Sequence, residues 1–518
     1  MRINELTIGE FKNLSNFKIN FNEDALISVL IGCNGSGKSN LLEALITIFR
    51  DLDLGDDPAF EYRLDYSCRG HKIHIDADRG RPKKDRVLVT VDGERMSYRR
   101  FWDGPEREYL PNYVFGYYSG IGGKMEALFE KHQVPFYKEL LRGVDNPLRT
   151  LLYARLEHAQ FVLLSFFIEQ DEKILQFLDR YLGIQGLDSV LFTMREPPWS
   201  SKEGDAHFWN VRGVLRDFLN KLYEVSLVPL RVTQRVNLNF KQSTTLEHMY
   251  FYLQDENALR ELYKFYNDQR AFFKALESTY ISDVLGEVQT RVVVRNAQGL
   301  LTFRDLSEGE QQLLMVLGLL RFTRDEESLF LLDEPDTHLN PAWAIRYPNF
   351  VDQIAGTQET SQIIMTTHNP LVISSLKKQQ VRMMLRNENT GYIYAEEPDE
   401  GPQGMGMDAM LTSELFGLRS SLDIPTQELL DERRRLIVKE TLSIDERQRL
   451  EELNEALSGI DFSVGNHDPE YARFIRRKVQ REDEAIREMF TLTPQQIKEQ
   501  NALVEEILDE LEEEEQQA

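Results

Sequence analysis

Cysteine is nearly absent: 518 residues contain two, Cys33 and Cys68. That excludes a disulfide framework and fits a reducing cytoplasm. No uncharged apolar run approaches the roughly 18 residues a membrane-spanning helix needs. The longest, AQFVLLSFFI at residues 159–168, is about half that. The first residues lack a basic stretch followed by an apolar one, so no secretory leader is expected. Positive charge is also short. Sixty-one Lys and Arg face 86 Asp and Glu, a net charge of −25, which excludes a uniformly basic nucleic-acid binder. There is no internal repeat and no low-complexity linker.

What is present is long enough for two or three domains. Residues 3–21 (INELTIGEFKNLSNFKINF) alternate apolar and polar, with a break at FKNL, and predict two strands joined by a short turn. ALISVLIG (25–32) is apolar throughout, as a strand buried on both faces must be. SNLLEALITIF (39–49) then takes up helical spacing. KIHIDAD (72–78), RVLVTVDG (86–93) and PNYVFGYYSG (111–120) read as further strands, with the basic loop RGRPKK between the first two. From about 130 to 285 the periodicity is helical, in LLYARLEHAQFVLLSFFIEQ, VRGVLRDFLNKLYEV and ENALRELYKFYNDQRAFFKALEST. TRVVVRNAQGLLTFRDL (290–306) predicts a hairpin turning at Asn296–Gly299, and SLFLLDEP and SQIIMTTH resume the buried-strand pattern. After about 424 the chain is charged and helical. Ser443 with Glu446 and Thr493 with Gln496 form capping-box patterns. Leu450, Leu453 and Leu457 make one narrow apolar stripe; Ile497, Val504, Leu508 and Leu511 make another. Such stripes pack on a neighbour, in this chain or in a partner. Residues 505–515 hold eight acidic residues and no basic one, suiting either a solvated helix end or an acidic docking tail.

The chemistry begins at Gly32-Cys33-Asn34-Gly35-Ser36-Gly37-Lys38-Ser39, which fits G-x-x-x-x-G-K-[ST] between a buried strand and a helix. The glycines let backbone N–H groups wrap a phosphate chain, and the following helix presents its positive dipole end. Asn34, Gly35, Ser36, Gly37, Lys38 and Ser39 are the expected nucleotide contacts. Lys38 neutralises phosphate charge and Ser39 ligates Mg²⁺. SLFLLDEP delivers two carboxylates at a strand end. Asp333 is the expected Mg²⁺ holder through water, and Glu334 the expected general base that orients and deprotonates a water. IIMTTHNP ends a further strand at His368.

The order of these motifs resembles the ABC ATPase superfamily, and the resemblance adds roles. LSEGEQQLL (306–314) resembles the ABC signature, with Glu308 in place of its first glycine, which implies that Ser307 and Gly309 bind the γ-phosphate of ATP held by an opposing subunit. His368 resembles the switch histidine, a γ-phosphate contact. DTHLNP resembles the D-loop, with Asp336 as its contact across the dimer. The family's Q-loop glutamine has no counterpart: the turn YYSG (117–120) lacks one and offers Ser119. Phe11, Lys12 and Asn13 occupy the turn that in relatives lies beside the nucleotide.

Lys38 and Ser307 stand about half the chain apart, unlike transporter heads, which keep the two motifs close. The N-terminal pattern with its FKNL turn resembles the SMC, RecF and OLD branch instead. The insertion is too short for an SMC coiled coil. The residues after 424 show no Toprim-like acidic pattern, so no nuclease chemistry of its own is expected. GMGMDAMLTSELFGLRSSLD (404–423) resembles the close of the head in PtuA-type ATPases of Septu and retron-associated anti-phage systems. The expectation is therefore an α/β chain with a P-loop NTPase (ABC-type) head. Residues 1–129 and 286–424 form its lobes, 130–285 a helical insertion, and 425–518 a helical tail with an acidic end.

The resemblance implies a cytoplasmic ATPase that uses ATP and Mg²⁺ and pairs head to head, or in a higher oligomer. It implies a PtuB-like HNH nuclease partner and, in retron relatives, a reverse transcriptase with its RNA–DNA product. Two basic clusters would either serve nucleic acid through that complex or form solvated loops and intramolecular salt-bridge faces. One is His71, Lys72, Arg79, Arg81, Lys83, Lys84 and Arg86; the other is Arg473, Arg476, Arg477, Lys478 and Arg481. A RecF- or SMC-like DNA-repair or tethering ATPase without a nuclease is the alternative, and a decayed binding module a third.

Overall fold

A strand rich in apolar residues on both faces must be covered on both, and three such strands organise this chain. In the computed structural model, residues 1–103, 107–120, 122–145, 149–169, 171–199, 203–237, 243–295, 300–322, 327–355, 360–439, 441–459, 477–478, 481 and 493–517 are described. They fall into two compact units, Met1–Glu397 and Pro398–Ala518. In the first, strands Ile27–Ile31, Gln362–Thr366 and Ser328–Asp333 are buried at every residue. They lie side by side and parallel in a seven-stranded sheet. Tyr113–Tyr118 and Leu151–Tyr153 extend it on one side. Val381–Arg386 and an antiparallel edge strand, Ile393–Glu396, extend it on the other.

The helix Lys38–Leu54 follows the first of these strands and is buried along most of its length. Its Leu41, Leu45, Ile46 and Phe49 share one core with Leu30, Leu331 and Ile364 of the parallel sheet. The same core includes Leu6, Ile8, Leu64 and Ile75 of a second, six-stranded antiparallel sheet. That sheet is opened by the predicted hairpin, Arg2–Phe11 against Leu14–Asn20. The layers are sheet, helix, sheet, which fixes where the helix begins.

The insertion corrects the sequence reading. Helices stand where the periodicity predicts them, at Leu156–Glu169, Gly213–Val225, Glu256–Tyr263 and Gln269–Ile281. Between them, however, runs an antiparallel five-stranded sheet, with long strands Ile184–Arg195, Leu230–Asn237, Ser243–Leu253 and Leu285–Val294. The lobe is α+β rather than helical. Its strands bury alternate residues, Val190, Phe192 and Met194 against Met249, Phe251 and Leu253, with a period of two that short windows of helical spacing obscured. The predicted hairpin pairs Arg291 with Thr302; its turn residues Asn296 and Gly299 lie outside the described residues. Buried Glu277 accepts from Arg149 at 2.5 Å and lies 2.6 Å from His158 Nε2, tying both ends of the lobe together.

The second unit holds Met407–Thr412, Ile424–Ile437, Ile444–Gly459 and Pro494–Gln517. Residues 404–423, expected to close the head, belong here, where Lys498 pairs with Asp399 at 2.7 Å. Both capping boxes form: Ser443 N–H to Glu446 at 2.9 Å, and Thr493 N–H to Gln496 at 2.9 Å. Leu453 and Leu457 are buried where their helix packs on Ile424–Ile437, so that stripe is used within the chain. Among the described side chains of the last helix the buried positions are Ile497 and Ile507, whereas Leu508 is 46% exposed, a rotation of the predicted stripe.

Helix Leu156–Glu169 of the insertion packs on helix Glu308–Phe322. They touch at Gly318, where an added Cβ would lie 1.9 Å from Val162 Cγ1. Gly318→Ala is therefore expected to lower stability by about 1–3 kcal/mol through overpacking. A thermal melt unchanged by G318A would show that this crossing tolerates a methyl group.

Candidate nucleotide site

Parallel register brings the predicted motifs to one edge of the sheet. Thr366 pairs with Leu30 and with Asp333, and Asp333 pairs with Tyr118. The carboxyl ends of four adjacent strands therefore stop at one level, where open α/β sheets bind ligands. The phosphate loop, His368, Asp333–Glu334 and Ser119 all leave from those ends.

In the loop, Gly37 has φ 89° and stands directly before the helix. An added Cβ there would sit 2.8 Å from Leu14 Cδ2 and 3.1 Å from Asn13 Oδ1. The FKNL turn thus braces the loop: Asn13 Nδ2 donates to the Gly35 carbonyl at 3.0 Å, and Asn40 Nδ2 to Asn13 Oδ1 at 2.6 Å. Lys12 pairs with Glu43, so its charge is engaged within the chain. Lys38 Nζ donates back to the carbonyls of Gly32 at 2.7 Å and Cys33 at 3.2 Å. Burial pulls its ammonium below the ordinary value, while Glu334 and Asp333 hold it up. Ser36 Oγ is buried without a hydrogen-bond partner, and Gly35 faces open space. An orphaned hydroxyl and a cradle open at a glycine fit a phosphate chain.

Asp333 is 2% exposed. Its carboxylate accepts from Thr366 Oγ1 at 2.5 Å and is also hydrogen-bonded by Ser39. Burial raises its pKa, which these bonds oppose. A hydroxyl and a carboxylate in contact form an all-oxygen donor pair that suits Mg²⁺, which needs few protein ligands. Glu334 follows with φ 52°, a left-handed conformation rare for a side chain of its length. His368 Nε2 lies 3.2 Å from Glu334 Oε1. Burial, helped by Lys38, lowers the histidine pKa, so the ring is neutral near pH 7 and its N–H can face the carboxylate.

The signature residues sit on the Asp-Glu turn rather than on the phosphate loop. Ser307 caps helix Glu308–Phe322 through a capping box with Glu310, its N–H at 2.7 Å from that carboxylate. Gly309 lets the D-loop backbone close in; a Cβ would lie 2.5 Å from the His338 carbonyl. His338 Nδ1 is 3.4 Å from Glu308, and Gln312 donates to the Pro335 carbonyl at 2.6 Å. Asp336, expected as a contact across the dimer, is turned into this chain. It is 4% exposed, and its carboxylate accepts from Thr367 Oγ1 at 2.8 Å, tying the D-loop to the histidine turn. Thr337, His338, Asn340 and Pro341 are the exposed residues of that loop. Thr337, Thr366, Thr367 and Gln312 were missed in the sequence; the threonine pair before His368 was the signal available.

The basic clusters are partly engaged within the chain. His71 faces Asp92, Arg81 pairs with Asp76 and Asp78, and Arg86 with Asp57. Among the described residues, Lys72, Arg79, Lys83 and Lys84 have no carboxylate at ion-pair distance, and all four are exposed. In the tail, Arg477 and Arg481 pair with Glu510 of the acidic helix. Arg473 and Arg476 lie outside the described residues. Both cysteines are free. Among the described residues, no helix is long and apolar enough to cross a membrane.

Burial raises the Asp336 carboxyl from 3.8 to about 6. A carboxyl whose folded pKa is raised favours folding below its unfolded pKa and loses that contribution as pH rises through about 6. Asp336→Asn is thus expected to be more stable than wild type at pH 7–8, by on the order of 2 kcal/mol. The difference should vanish below about pH 4. Denaturation midpoints across that range check it; a gap independent of pH would overturn it.

Comparison with known proteins agrees with this geometry. Residues 206–374 match the family model described as "AAA domain, putative AbiEii toxin, Type IV TA system", and residues 1–87 match "AAA ATPase domain". The chain is 29% identical over 196 residues to the Septu protein PtuA of Bacillus mycoides (strain KBAB4), covering 36% of this chain and 27% of that one. The match thus spans about a quarter of that relative's length. It is 19% identical over 414 residues to the Retron Vc95 probable ATPase of Vibrio cholerae serotype O1 biovar El Tor, covering 74% of this chain and 73% of that one. Among solved structures, an SmcHead bound to the C-winged helix domain of ScpA aligns at a TM-score of 0.34 and 13% identity, over 77% of this chain and 98% of that one. The SMC head domain from Thermotoga maritima aligns at a TM-score of 0.32 and 12% identity, over 77% and 99%. The phosphate loop, the carboxylate pair and the strand-end histidine thus occur in one site, in a chain whose segments match AAA ATPase family models and which is similar to PtuA and to a retron ATPase.

Proposed function

We propose that the chain binds and hydrolyses ATP as the ATPase subunit of an anti-phage defence complex, in which it controls a partner HNH nuclease. The observation that carries the ATPase half is the convergence of Lys38, Asp333, Glu334 and His368 at the ends of three neighbouring parallel strands. The PtuA and retron ATPase relatives support the defence half. The nuclease, and a reverse transcriptase with its RNA–DNA product, belong to the proposal.

On this reading the loop of residues 32–39 takes the phosphates of ATP. Lys38 exchanges its carbonyl partners for phosphate oxygens. A magnesium ion held by Ser39 and Asp333 would neutralise charge that develops on the phosphates. Glu334 takes a proton from the attacking water as that oxygen bonds to the γ-phosphorus and the bond to the leaving diphosphate oxygen breaks. His368 keeps the carboxylate aligned. Ser307 and Gly309 serve the ATP of a second copy, so turnover requires a head-to-head pair.

Glu334→Gln should keep ATP binding and lose turnover by a factor of about 10²–10⁴. Equal loss of binding would remove Glu334 from the chemistry. For the partner, mass photometry of the full chain with a small HNH protein in ATP–Mg²⁺ should give a heteromeric complex. A chain that only pairs with itself and binds DNA would favour the RecF-like reading instead.

A further inference from the structure

Two hydroxyl contacts lie beside Glu334. Thr337 Oγ1 lies 2.9 Å from the Glu334 carbonyl oxygen and 3.1 Å from Ser119 Oγ. Ser119 leaves the end of strand Tyr113–Tyr118, and its N–H donates to the Asp333 carbonyl at 3.2 Å. A carbonyl can only accept, and each hydroxyl has one proton. With both bonds made, Thr337 gives its proton to the Glu334 carbonyl and Ser119 gives its own to Thr337. The relay has one direction: Ser119, Thr337, Glu334.

The other side of Glu334 is held in the same way. Its N–H donates to Thr366 Oγ1 at 3.0 Å, and that hydroxyl donates to Asp333 at 2.5 Å. Each peptide group flanking the Glu334 Cα is therefore bonded by a threonine hydroxyl, and the Glu334 carbonyl also accepts, at a longer 3.4 Å, from the Thr337 backbone N–H. Those two planes set φ and ψ, and so the direction in which the side chain leaves. The φ of 52° is one that a glutamate would abandon if released.

We propose that Thr337, braced by Ser119, is a positioning residue for Glu334. The hydroxyl relay holds the left-handed backbone that aims the carboxylate, at the strand end where the Q-loop glutamine was expected and is missing. The inference rests on Glu334 acting as general base. Thr337 is exposed and Ser119 half-buried, so neither belongs to the core. Their loss acts on Glu334 geometry rather than on packing.

The test is steady-state ATP turnover by the full chain with Mg²⁺, alongside binding of a fluorescent ATP analogue. Thr337→Val keeps the shape and removes the hydroxyl. Its kcat should fall about tenfold or more, since small misplacement of a reacting group has such costs. KM and analogue Kd should stay within about twofold, the signature of an interaction made in the chemical step. Thr337→Ser restores the hydroxyl and should bring kcat back to within about threefold of wild type. Ser119→Ala, which leaves the Thr337 bond in place, should fall between the two. A wild-type kcat in T337V, an equal loss in analogue binding, or a T337S as slow as T337V would each overturn the inference. A wild-type chain without turnover would sink the reading of Glu334 and this inference together; turnover that T337V leaves untouched sinks this one alone.

Discussion

Parallel pairing of three fully buried strands is the constraint from which the site follows. Ile27–Ile31, Gln362–Thr366 and Ser328–Asp333 have no polar side to turn to water, so they must lie inside a sheet covered on both faces. Parallel direction then puts all their carboxyl ends on one edge, and the register Leu30, Thr366, Asp333 sets them level. Residues more than 300 positions apart in sequence meet there because of that register and not through local preference. A slip of one residue would turn Asp333 to the opposite face.

This is why the site was legible and other parts were not. Contiguous residues with a fixed job, such as Gly32–Ser39 or Asp333–Glu334, announce themselves in the sequence, and the strands that carry them are marked by unbroken apolarity. Asp336 shows the limit. Its neighbours resemble a contact loop, yet its carboxylate is turned inward to Thr367, and burial is a property of the fold. Thr366 and Thr337 carry no signal of their own; a threonine in a strand or turn is ordinary until its hydroxyl is seen bonded to the Glu334 backbone. The insertion failed for another reason. Val190, Phe192 and Met194 alternate over a short window, flanked by stronger helical stretches, and only pairing with Ser243–Leu253 reveals a sheet. In the tail, the sequence left Arg477 and Arg481 open between a surface for phosphate and a salt-bridge face, and both pair with Glu510.

The insertion is not an independent attachment. Its most apolar helix, Leu156–Glu169, rests on the helix that begins at Ser307, with Gly318 at the crossing. That same helix holds the D-loop through Gly309 and Gln312. A shift in the lobe thus has a short, packed route to Glu334: one helix, one turn, one residue. Interiors packed at such distances pass displacement on rather than absorb it.

Lys38 gives the phosphate loop a resident competitor. Its ammonium already satisfies two carbonyl oxygens, those of Gly32 and Cys33, in the loop that would wrap the ligand. Nucleotide entry is therefore an exchange of partners, and the net gain is smaller than the attraction between ammonium and phosphate alone. The same exchange runs backwards at release. When phosphate leaves, the ammonium does not stand bare in a buried place but folds onto oxygens held at fixed short range. Nucleotide occupancy in such a loop can follow the supply of nucleotide closely, which is a property a sensor needs as much as an engine does.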